Sequence, residues 1–346
     1  MEQRTLGRTG MTVSTHCLGA MMFGSWGNRD HDECVRMIHT ALDAGINFVD
    51  TADVYSAGES EEIVGAALAD RRDDVILATK VHAPMGDDPN RRGNSRRWIV
   101  REVENSLRRL RTDWIDLYQV HRPDFTTDVD ETLGALSDLV HEGKVRAIGS
   151  STFPAELIVE AQWAAQRRNR ERFVCEQPPY SILARGIERA VLPTCLRYGM
   201  GVIVWGPLNG GWLTGKYRRG ETPPEGSRAA RGRTPARFDT GRDDVRRKFD
   251  VVDELEKIAA DAGSSITHLA QAWVLEHPAV TSAIIGPRTP EQLDDLLAGA
   301  DVRLDADTLD RIDALVAPGT DVAAPDAGWE TPDLSRSRRR RSYRSR

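Results

Sequence analysis

The sequence predicts an α/β protein that folds as a (β/α)8 TIM barrel, with a β-hairpin before the barrel and a long loop after its seventh strand. Short apolar runs alternate with longer amphipathic segments, and this alternation is typical of a parallel sheet covered by helices. The chain of 346 residues is long enough for eight strand–helix pairs. A doubly wound sheet is the rival arrangement for the same alternation.

The first predicted element is a hairpin in the stretch RTLGRTGMTVS, residues 4–14, which turns at Arg8-Thr9-Gly10. Such a hairpin could cover the bottom of a barrel. Eight apolar runs rich in β-branched residues then follow, and each predicts a buried strand. They span residues 16–20, 47–52, 75–80, 115–121, 145–151, 173–177, 201–206 and 282–286.

Helical patterns separate the strands. In residues 32–44, Val35, Ile38 and Ala41 recur at the spacing of one helix face. The segment 59–69 begins with acidic residues, which favour a helix N-terminus. Further helices are predicted near residues 95–110, 129–142, 154–167, 186–199, 264–276 and 289–298.

The segment 209–246 contains Gly, Pro and Arg without periodicity, so we interpret it as a loop after strand seven. Residues 1–318 are therefore predicted to form one barrel domain. Residues 319–346 are predicted to be a disordered C-terminal tail, because the Arg-rich end has almost nothing to bury.

Charge and composition exclude several classes of protein. The net charge of −6 includes seven arginines in residues 336–346, without which the remainder carries −13, so we expect no nucleic-acid partner. There is no signal-peptide pattern and no apolar stretch of membrane-spanning length, so we expect no membrane partner. The four scattered cysteines indicate reduced thiols, a cytoplasmic location and no metal site.

Four chemically reactive side chains fall at the ends of consecutive strands. Asp50 lies near the end of strand two, Tyr55 in the following loop, Lys80 at the end of strand three and His121 at the end of strand four. In a barrel, the loops after the strands build the active site. Neighbouring strands lie about 4.8 Å apart, so these four groups are expected to converge at one mouth.

Lys80 is unusual because only five of the 47 basic residues are lysines. A lysine at the tip of an apolar strand suggests a task that arginine cannot perform, since an ammonium is a compact charge with a shiftable pKa. We expect Asp50 to hold the ammonium and the ammonium to lower the pKa of the Tyr55 phenol. His121 would then orient a carbonyl oxygen or assist proton transfer.

Each of these residues also has a structural interpretation. Asp50 could cap a turn, Tyr55 could be packing, and Asp50 with Lys80 could be a structural ion pair. A lone His121 is more often a core or rim residue. Their position at the same end of consecutive strands makes the functional interpretation stronger for the set than for any member.

Several stretches, in order along the chain, resemble the aldo-keto reductase family over residues 3–316. They are NFVDTADVYSAGESEEIVG, VILATK, IDLYQVHRPD, GKVRAIGSST, EQPPYSI and PLNGGWLTGKY, and the resemblance is nearest the branch of bacterial reductases and potassium-channel β-subunits. The resemblance implies a TIM barrel without a Rossmann domain and NADPH as hydride donor. It places the catalytic roles on Tyr55, Lys80, Asp50 and His121, and channel-associated members tend to carry Asn where this chain has His121.

The same resemblance implies a cofactor site. No G-x-G-x-x-G follows a strand, and GGWLTGKY at 210–217 fails as a phosphate-binding P-loop because Tyr217 stands where Ser or Thr is needed. The family instead implies that Trp205 stacks on the nicotinamide, Ser151 and Gln177 hold the carboxamide, and Lys216 contacts a phosphate. The full implied set is Ala20, Met21, Asp50, Ser151, Thr152, Gln177, Trp205, Gly206, Pro207, Leu208, Lys216, Gly286, Arg288, Gln292 and Asp295.

Three positions affect how well the family's cofactor contacts apply to this chain. Thr152 and Leu296 each stand where Asn is frequent in the family, which puts one carboxamide contact and one adenine contact in question. Arg288 at a predicted helix start is a sound site for a 2′-phosphate and favours NADPH over NADH. From the residues alone, a surface cation is the preferred interpretation of Arg288.

The resulting hypothesis is an NADPH-dependent oxidoreductase that reduces an aldehyde or ketone, a small-molecule carbonyl substrate, with Tyr55 as general acid. One rival is a redox-sensing accessory subunit that binds NADPH with little turnover, and another is a lyase or isomerase on the same barrel. A homo-oligomer is possible. The mouth is predicted to be lined by Trp26, the segment 84–93, Phe125, Trp212 and the loop 218–246.

Overall fold

The computed structural model describes residues 1–232 and 234–328. It begins with an antiparallel hairpin of β1 (Gln3–Thr5) and β2 (Thr12–Ser14), as predicted. Leu6 and Val13 of the hairpin join the apolar cluster inside the barrel and close its bottom. Gly7 is needed there because a side chain at this position would collide with the backbone of Val174 and Gly201.

Eight parallel strands form a closed barrel, which confirms the (β/α)8 prediction and excludes the doubly wound sheet. Their order around the barrel is β10-β3-β4-β5-β6-β7-β8-β9, so neighbours in sequence are neighbours in space. The strands are β3 (His16–Gly19), β4 (Phe48–Asp50), β5 (Ile76–Val81), β6 (Ile115–Val120), β7 (Val145–Ser151), β8 (Cys175–Gln177), β9 (Gly201–Val204) and β10 (Ser282–Ile285).

Side chains alternate between the inside of the barrel and the helix-covered outside. Phe48, Ala78 and Leu117 belong to the inner apolar cluster, whereas Val49 and Leu77 pack with the helices. This period of two follows from strand geometry. It fixes which side chains near the strand ends enter the barrel mouth.

The helices cover the outer faces of the strands. They are α1 (His31–Asp43), α2 (Glu59–Ala67), α3 (Arg96–Leu110), α4 (Val129–His141), α5 (Ala155–Arg168), α6 (Val191–Tyr198), α7 (Asp243–Asp261), α8 (Ile266–Glu276), α9 (Pro290–Ala298) and α10 (Ala306–Leu315). All eight predicted helical segments are present. Among these described helices, none combines the length and apolar character needed to cross a membrane.

Two helices were not predicted. The long loop after β9 ends earlier than expected, because α7 starts at Asp243 inside the predicted loop 209–246. Val245, Phe249 and Val252 repeat at helical spacing and are buried, but charged residues surround them in the sequence. The short α10 was also missed.

The chain stays packed on the barrel beyond residue 318, the predicted domain boundary. Val322 and Ala323 are buried, and the Val322 amide donates to the carbonyl of Leu183. Asp326 is fully buried and pairs with Lys248 and Arg237. The fold therefore includes segment 319–328, while the Arg-rich end of the predicted tail lies outside the described residues.

Candidate active site

The centre of the candidate site is a buried ion pair between two neighbouring strands. Lys80, on β5, donates from Nζ to Asp50 Oδ2 on β4 at 2.6 Å and to the carbonyl oxygen of Thr51 at 2.7 Å. The Lys80 side chain has no exposed surface and that of Asp50 is 3% exposed. A buried cation with this little solvent requires a paired carboxylate, which Asp50 provides.

The second oxygen of Asp50 is held by two amides. Gln177 Nε2 donates to Asp50 Oδ1 at 2.8 Å and Gln119 Nε2 does so at 3.3 Å, while the two glutamines also contact each other. Gln119 was not predicted as a site residue. Its signal in the sequence was a polar residue on the inward face of an apolar strand, two positions before His121.

Tyr55 starts a 3-10 turn, Tyr55–Gly58, between β4 and α2. Lys80 Nζ lies 5.2 Å from the centre of the Tyr55 ring. Burial raises the pKa of Tyr55 above its ordinary value of 10, and the Lys80 ammonium opposes this rise without reversing it. The expected net lowering of the phenol pKa is therefore not observed, because loss of water around the half-buried ring outweighs the nearby positive charge.

His121 completes the group from the end of β6. Its ring meets the Tyr55 ring edge-on, with centroids 5.7 Å apart and planes at 80°. Burial, followed by the charge of Arg122, keeps the pKa of His121 well below 6.5, so the imidazole is neutral at neutral pH. Its buried Nδ1 has no hydrogen-bond partner among the described residues.

The residues proposed to hold a carboxamide lie beside this group, on β7 and β8. Ser151 Oγ donates to the carbonyl oxygen of Gln177 at 2.9 Å. Thr152 adopts a left-handed backbone with φ of 57°, and its hydroxyl accepts a hydrogen bond from Trp205 Nε1 at 3.3 Å. Thr152 thus orients the tryptophan that was expected to stack on a nicotinamide.

Open space lies above the glycines that follow β9 and β10. A Cβ on Gly206 or Gly286 would meet no atom within 4 Å, so a ligand could approach both backbones closely. Pro207 and Leu208 continue from Gly206. Ala20 and Met21 occupy the 3-10 turn Ala20–Met22 directly after β3, at the same end of the barrel.

Cations gather next to these glycines. Arg288 Nη1 donates to the carbonyl of Gly226 at 2.6 Å, and the Arg288 amide donates to Gln292 Oε1 at 2.9 Å. Desolvation, then the charges of Arg228 and Arg288, lower the pKa of Lys216, which places three cations near one another. Two of these cations, Lys216 and Arg288, are the predicted phosphate contacts.

The remaining predicted residues lie in three different parts of the structure. Asp295 Oδ1 is 3.1 Å from His268 Nε2, on the outer helices α9 and α8. Trp26 packs against Tyr55 with centroids 5.9 Å apart, at the mouth as expected. The prediction for Trp212 is wrong, because its ring is buried and stacks on Phe238 in the core of the long loop.

These residues fit a nicotinamide dinucleotide on structural grounds. Open glycine backbones, a cluster of cations and an unpartnered buried His121 Nδ1 lie around one barrel mouth. Within residues 1–232 and 234–328, no group of three His, Cys, Asp or Glu side chains is arranged to hold a metal ion. The four cysteines are free and buried.

Comparison with known proteins agrees with this geometry. The model of the Aldo/keto reductase family matches residues 17–317. The chain is 39% identical to an uncharacterized oxidoreductase, YrpG, of Bacillus subtilis over 345 residues, covering 96% of this chain and 99% of the relative. It is 38% identical to the aldo-keto reductase YhdN of the same organism, covering 86% and 88% of the two chains.

A third relative has a different described role. The chain is 36% identical to a probable voltage-gated potassium channel subunit beta of Oryza sativa, covering 91% of this chain and 97% of the relative. The similarity therefore extends over nearly the full length of both reductases and channel subunits. The chain belongs to the aldo/keto reductase family of nicotinamide-dependent oxidoreductases.

Proposed function

We propose that this protein reduces an aldehyde or ketone to an alcohol with NADPH, and that Tyr55 donates the proton. The observation that carries the proposal is the convergence of Asp50, Lys80, Tyr55 and His121 at one end of three consecutive strands. Bound NADPH would supply the hydride. Ser151, Gln177 and Trp205 would hold its nicotinamide end, and Lys216 with Arg288 its phosphates.

In this proposal, the chain's own residues carry out the proton transfer to the carbonyl oxygen. Burial keeps the Tyr55 phenol protonated at neutral pH, as a general acid requires. The Lys80 ammonium stabilises the phenolate that remains after the proton has moved to the carbonyl oxygen. Neutral His121 can donate a hydrogen bond to the same oxygen, because its pKa is far below the working pH.

NADPH is preferred over NADH in this proposal because Lys216, Arg228 and Arg288 lie near one another and could bind a 2′-phosphate. Arg288 at the start of α9 combines a guanidinium with a helix N-terminus. Lys216 and Arg228 add charge from the long loop. Dissociation constants for NADPH and NADH, measured by protein fluorescence, check this preference directly.

The test of the proton donor is Tyr55→Phe, assayed with a panel of aldehydes and ketones by following NADPH oxidation. Loss of the phenol is expected to lower kcat by about 10²- to 10⁴-fold, the usual contribution of general acid catalysis. NADPH affinity should stay within about threefold, since the phenyl ring keeps the packing with Trp26. Tyr198→Phe, on outer helix α6, is the matched control and should leave both quantities unchanged.

A second candidate function is an NADPH-binding accessory subunit with little turnover. The 36% identity to the potassium channel subunit beta favours it. The two candidates differ in one measurement, the turnover of the wild-type protein with model aldehydes. A protein that binds NADPH tightly but oxidises it no faster with any carbonyl than without would support the accessory role.

A further inference from the structure

Arg122 is a cation at the barrel mouth that has no assigned role. It follows His121 directly and is half-buried. Its Nη1 donates to the carbonyl oxygen of His121 at 2.5 Å and reaches Ser151 Oγ at 3.4 Å. The guanidinium therefore lies across the ends of β6 and β7, between the candidate proton-transfer residues and the candidate carboxamide site.

The charge of Arg122 is not balanced within the described fold. No described carboxylate lies within 4 Å of it, and its Nε and Nη2 donate to no described atom. Four arginines with largely buried side chains behave differently, since each is paired with at least one carboxylate at 2.6 to 2.8 Å. They are Arg72 with Asp116, Arg109 with Glu61 and Glu102, Arg185 with Glu188 and Asp313, and Arg237 with Asp326.

Nearby acids are already occupied. Asp124 accepts hydrogen bonds from its own loop, from Thr126, Thr127 and the amide of Asn94. Glu176 accepts from the Ser150 hydroxyl and the Phe153 amide. A half-buried guanidinium with no paired carboxylate and two nitrogens that donate to no described atom is costly, so this arrangement indicates that a ligand supplies the missing anion.

The cofactor phosphates are poor candidates for that anion. The cations proposed to bind them follow β9 and β10, and β10 lies opposite β6 in the closed barrel order. Arg122 lies instead near the reacting groups, and its charge also acts on the Tyr55 phenol. The anion is therefore expected on the molecule that contacts Tyr55 and His121.

We propose that Arg122 binds a carboxylate on the substrate, so that the enzyme prefers aldehydes and ketones that also carry a carboxylate. This inference rests on the proposed reductase function. The Nε and Nη2 edge of a guanidinium matches the two oxygens of a carboxylate, which gives orientation as well as charge. A substrate held in this way would keep its carbonyl group near Tyr55 and His121.

The experiment compares two aldehydes that differ in one charge, 4-carboxybenzaldehyde and its methyl ester. The wild-type kcat/KM is expected to be higher for the acid. In Arg122→Met the ratio of acid to ester should fall by about 10- to 100-fold, as expected for loss of a charged hydrogen bond, with the ester little affected. Arg122→Lys keeps the charge without the planar fork and should give an intermediate ratio.

Arg101→Met is the matched control, because Arg101 is exposed on the outer helix α3. It should leave the ratio unchanged. An unchanged ratio in Arg122→Met overturns the inference, and so does an equal loss for both aldehydes, which would mean that Arg122 only positions His121 and Ser151. Circular dichroism and NADPH binding confirm that each variant is folded.

A binding measurement tests the carboxylate site separately if the reductase proposal fails. If the wild type reduces neither aldehyde, binding of terephthalate to the protein with NADPH is measured by calorimetry. Binding to wild type that weakens at least about tenfold in Arg122→Met supports the carboxylate site without the reaction. Equal binding, or none to either protein, overturns the site.

Discussion

Two adjacent residues on β5, Thr79 and Lys80, belong to different polar groups on the two faces of the barrel wall. Lys80 points into the barrel and pairs with Asp50, whereas Thr79 points outward and donates to Glu61 Oε1 at 2.5 Å. Both side chains are fully buried. The same strand therefore supports two polar groups on opposite faces, one at the mouth and one beneath α2 and α3.

The two groups differ in how well their charges are satisfied. Inside, one carboxylate receives Lys80, Gln119 and Gln177. Outside, Arg109 bridges Glu61 and Glu102 at 2.6 Å each, and Asp53 lies near both acids.

The outer group contains buried polar atoms that are not hydrogen-bonded within the described part of the chain. Asp53 Oδ2 and the Tyr118 hydroxyl have no partner among the described residues. Burial, then Glu61 and Glu102, raise the pKa of Asp53 well above 3.8, which favours a neutral acid there. In the proposed function the inner pair presents a charge to Tyr55, whereas the outer group links helices α2 and α3 to the barrel.

The largest effect is expected from replacing the inner cation. Lys80→Met should lower kcat by about 10²- to 10⁴-fold, because the phenolate formed at Tyr55 loses its stabilising charge. Thr79→Val, one residue away, should keep kcat within about threefold and reduce only stability, by about 1 kcal/mol or more. Steady-state kinetics and urea unfolding of both variants check this difference. An equal fall in kcat for Lys80→Met and Thr79→Val would contradict it.

The outer group is expected to show the opposite pattern. Arg109→Met leaves Glu61 and Glu102 without their shared cation and should lower the free energy of unfolding by about 3–5 kcal/mol. The kcat of the remaining folded protein should change little. Urea unfolding measures the loss, with Arg108→Met, an exposed neighbour on α3, as the control. A small stability change with a large fall in kcat would reverse the roles assigned to the two faces.

Glu176 extends the comparison, because it is an outer carboxylate that pairs with no cation among the described residues. It precedes the inward Gln177 on β8, and burial raises its pKa from 4.5 to about 7. The carboxyl is protonated in both folded and unfolded chains below pH 4.5, while above pH 7 the folded chain must bury the charge. Stability contributed by this group is therefore lost as pH rises from about 4.5 to 7.

Glu176→Gln stays neutral and should lack this loss. Its free energy of unfolding relative to wild type should rise by up to about 3 kcal/mol between pH 4.5 and pH 8, from the pKa difference. Urea unfolding at four pH values in this range measures the slope. The exposed Glu160→Gln is the control, and a difference that does not vary with pH would show that Glu176 titrates normally.

The strands, and the meeting of Asp50, Tyr55, Lys80 and His121 at one end of the barrel, could be predicted because the apolar runs show where each strand ends. Apolar runs of five to seven residues marked each strand, and the rule that strand ends face the mouth placed Asp50, Lys80 and His121 together. The amphipathic repeat of α7 was obscured by charged neighbours. Trp212 was misplaced because its partner Phe238 lies in an irregular loop.

Properties that depend on distant partners could not be predicted. The role of Gln119 depends on Gln177, which lies on a strand two positions further around the barrel. Only the three-dimensional structure shows that no described carboxylate pairs with Arg122. The direction of the Tyr55 pKa depended on burial, which no spacing of residues reports.

The C-terminal segment 319–328 has a practical consequence. Gly328 lies against Trp205, since a Cβ there would come within 2.8 Å of the indole ring, and Asp326 is locked to Lys248 beneath it. The hairpin near the N-terminus closes the other end of the barrel. Affinity tags, reporters or immobilisation linkers joined at the N-terminus start far from the candidate substrate entrance, whereas Gly328 lies beside it.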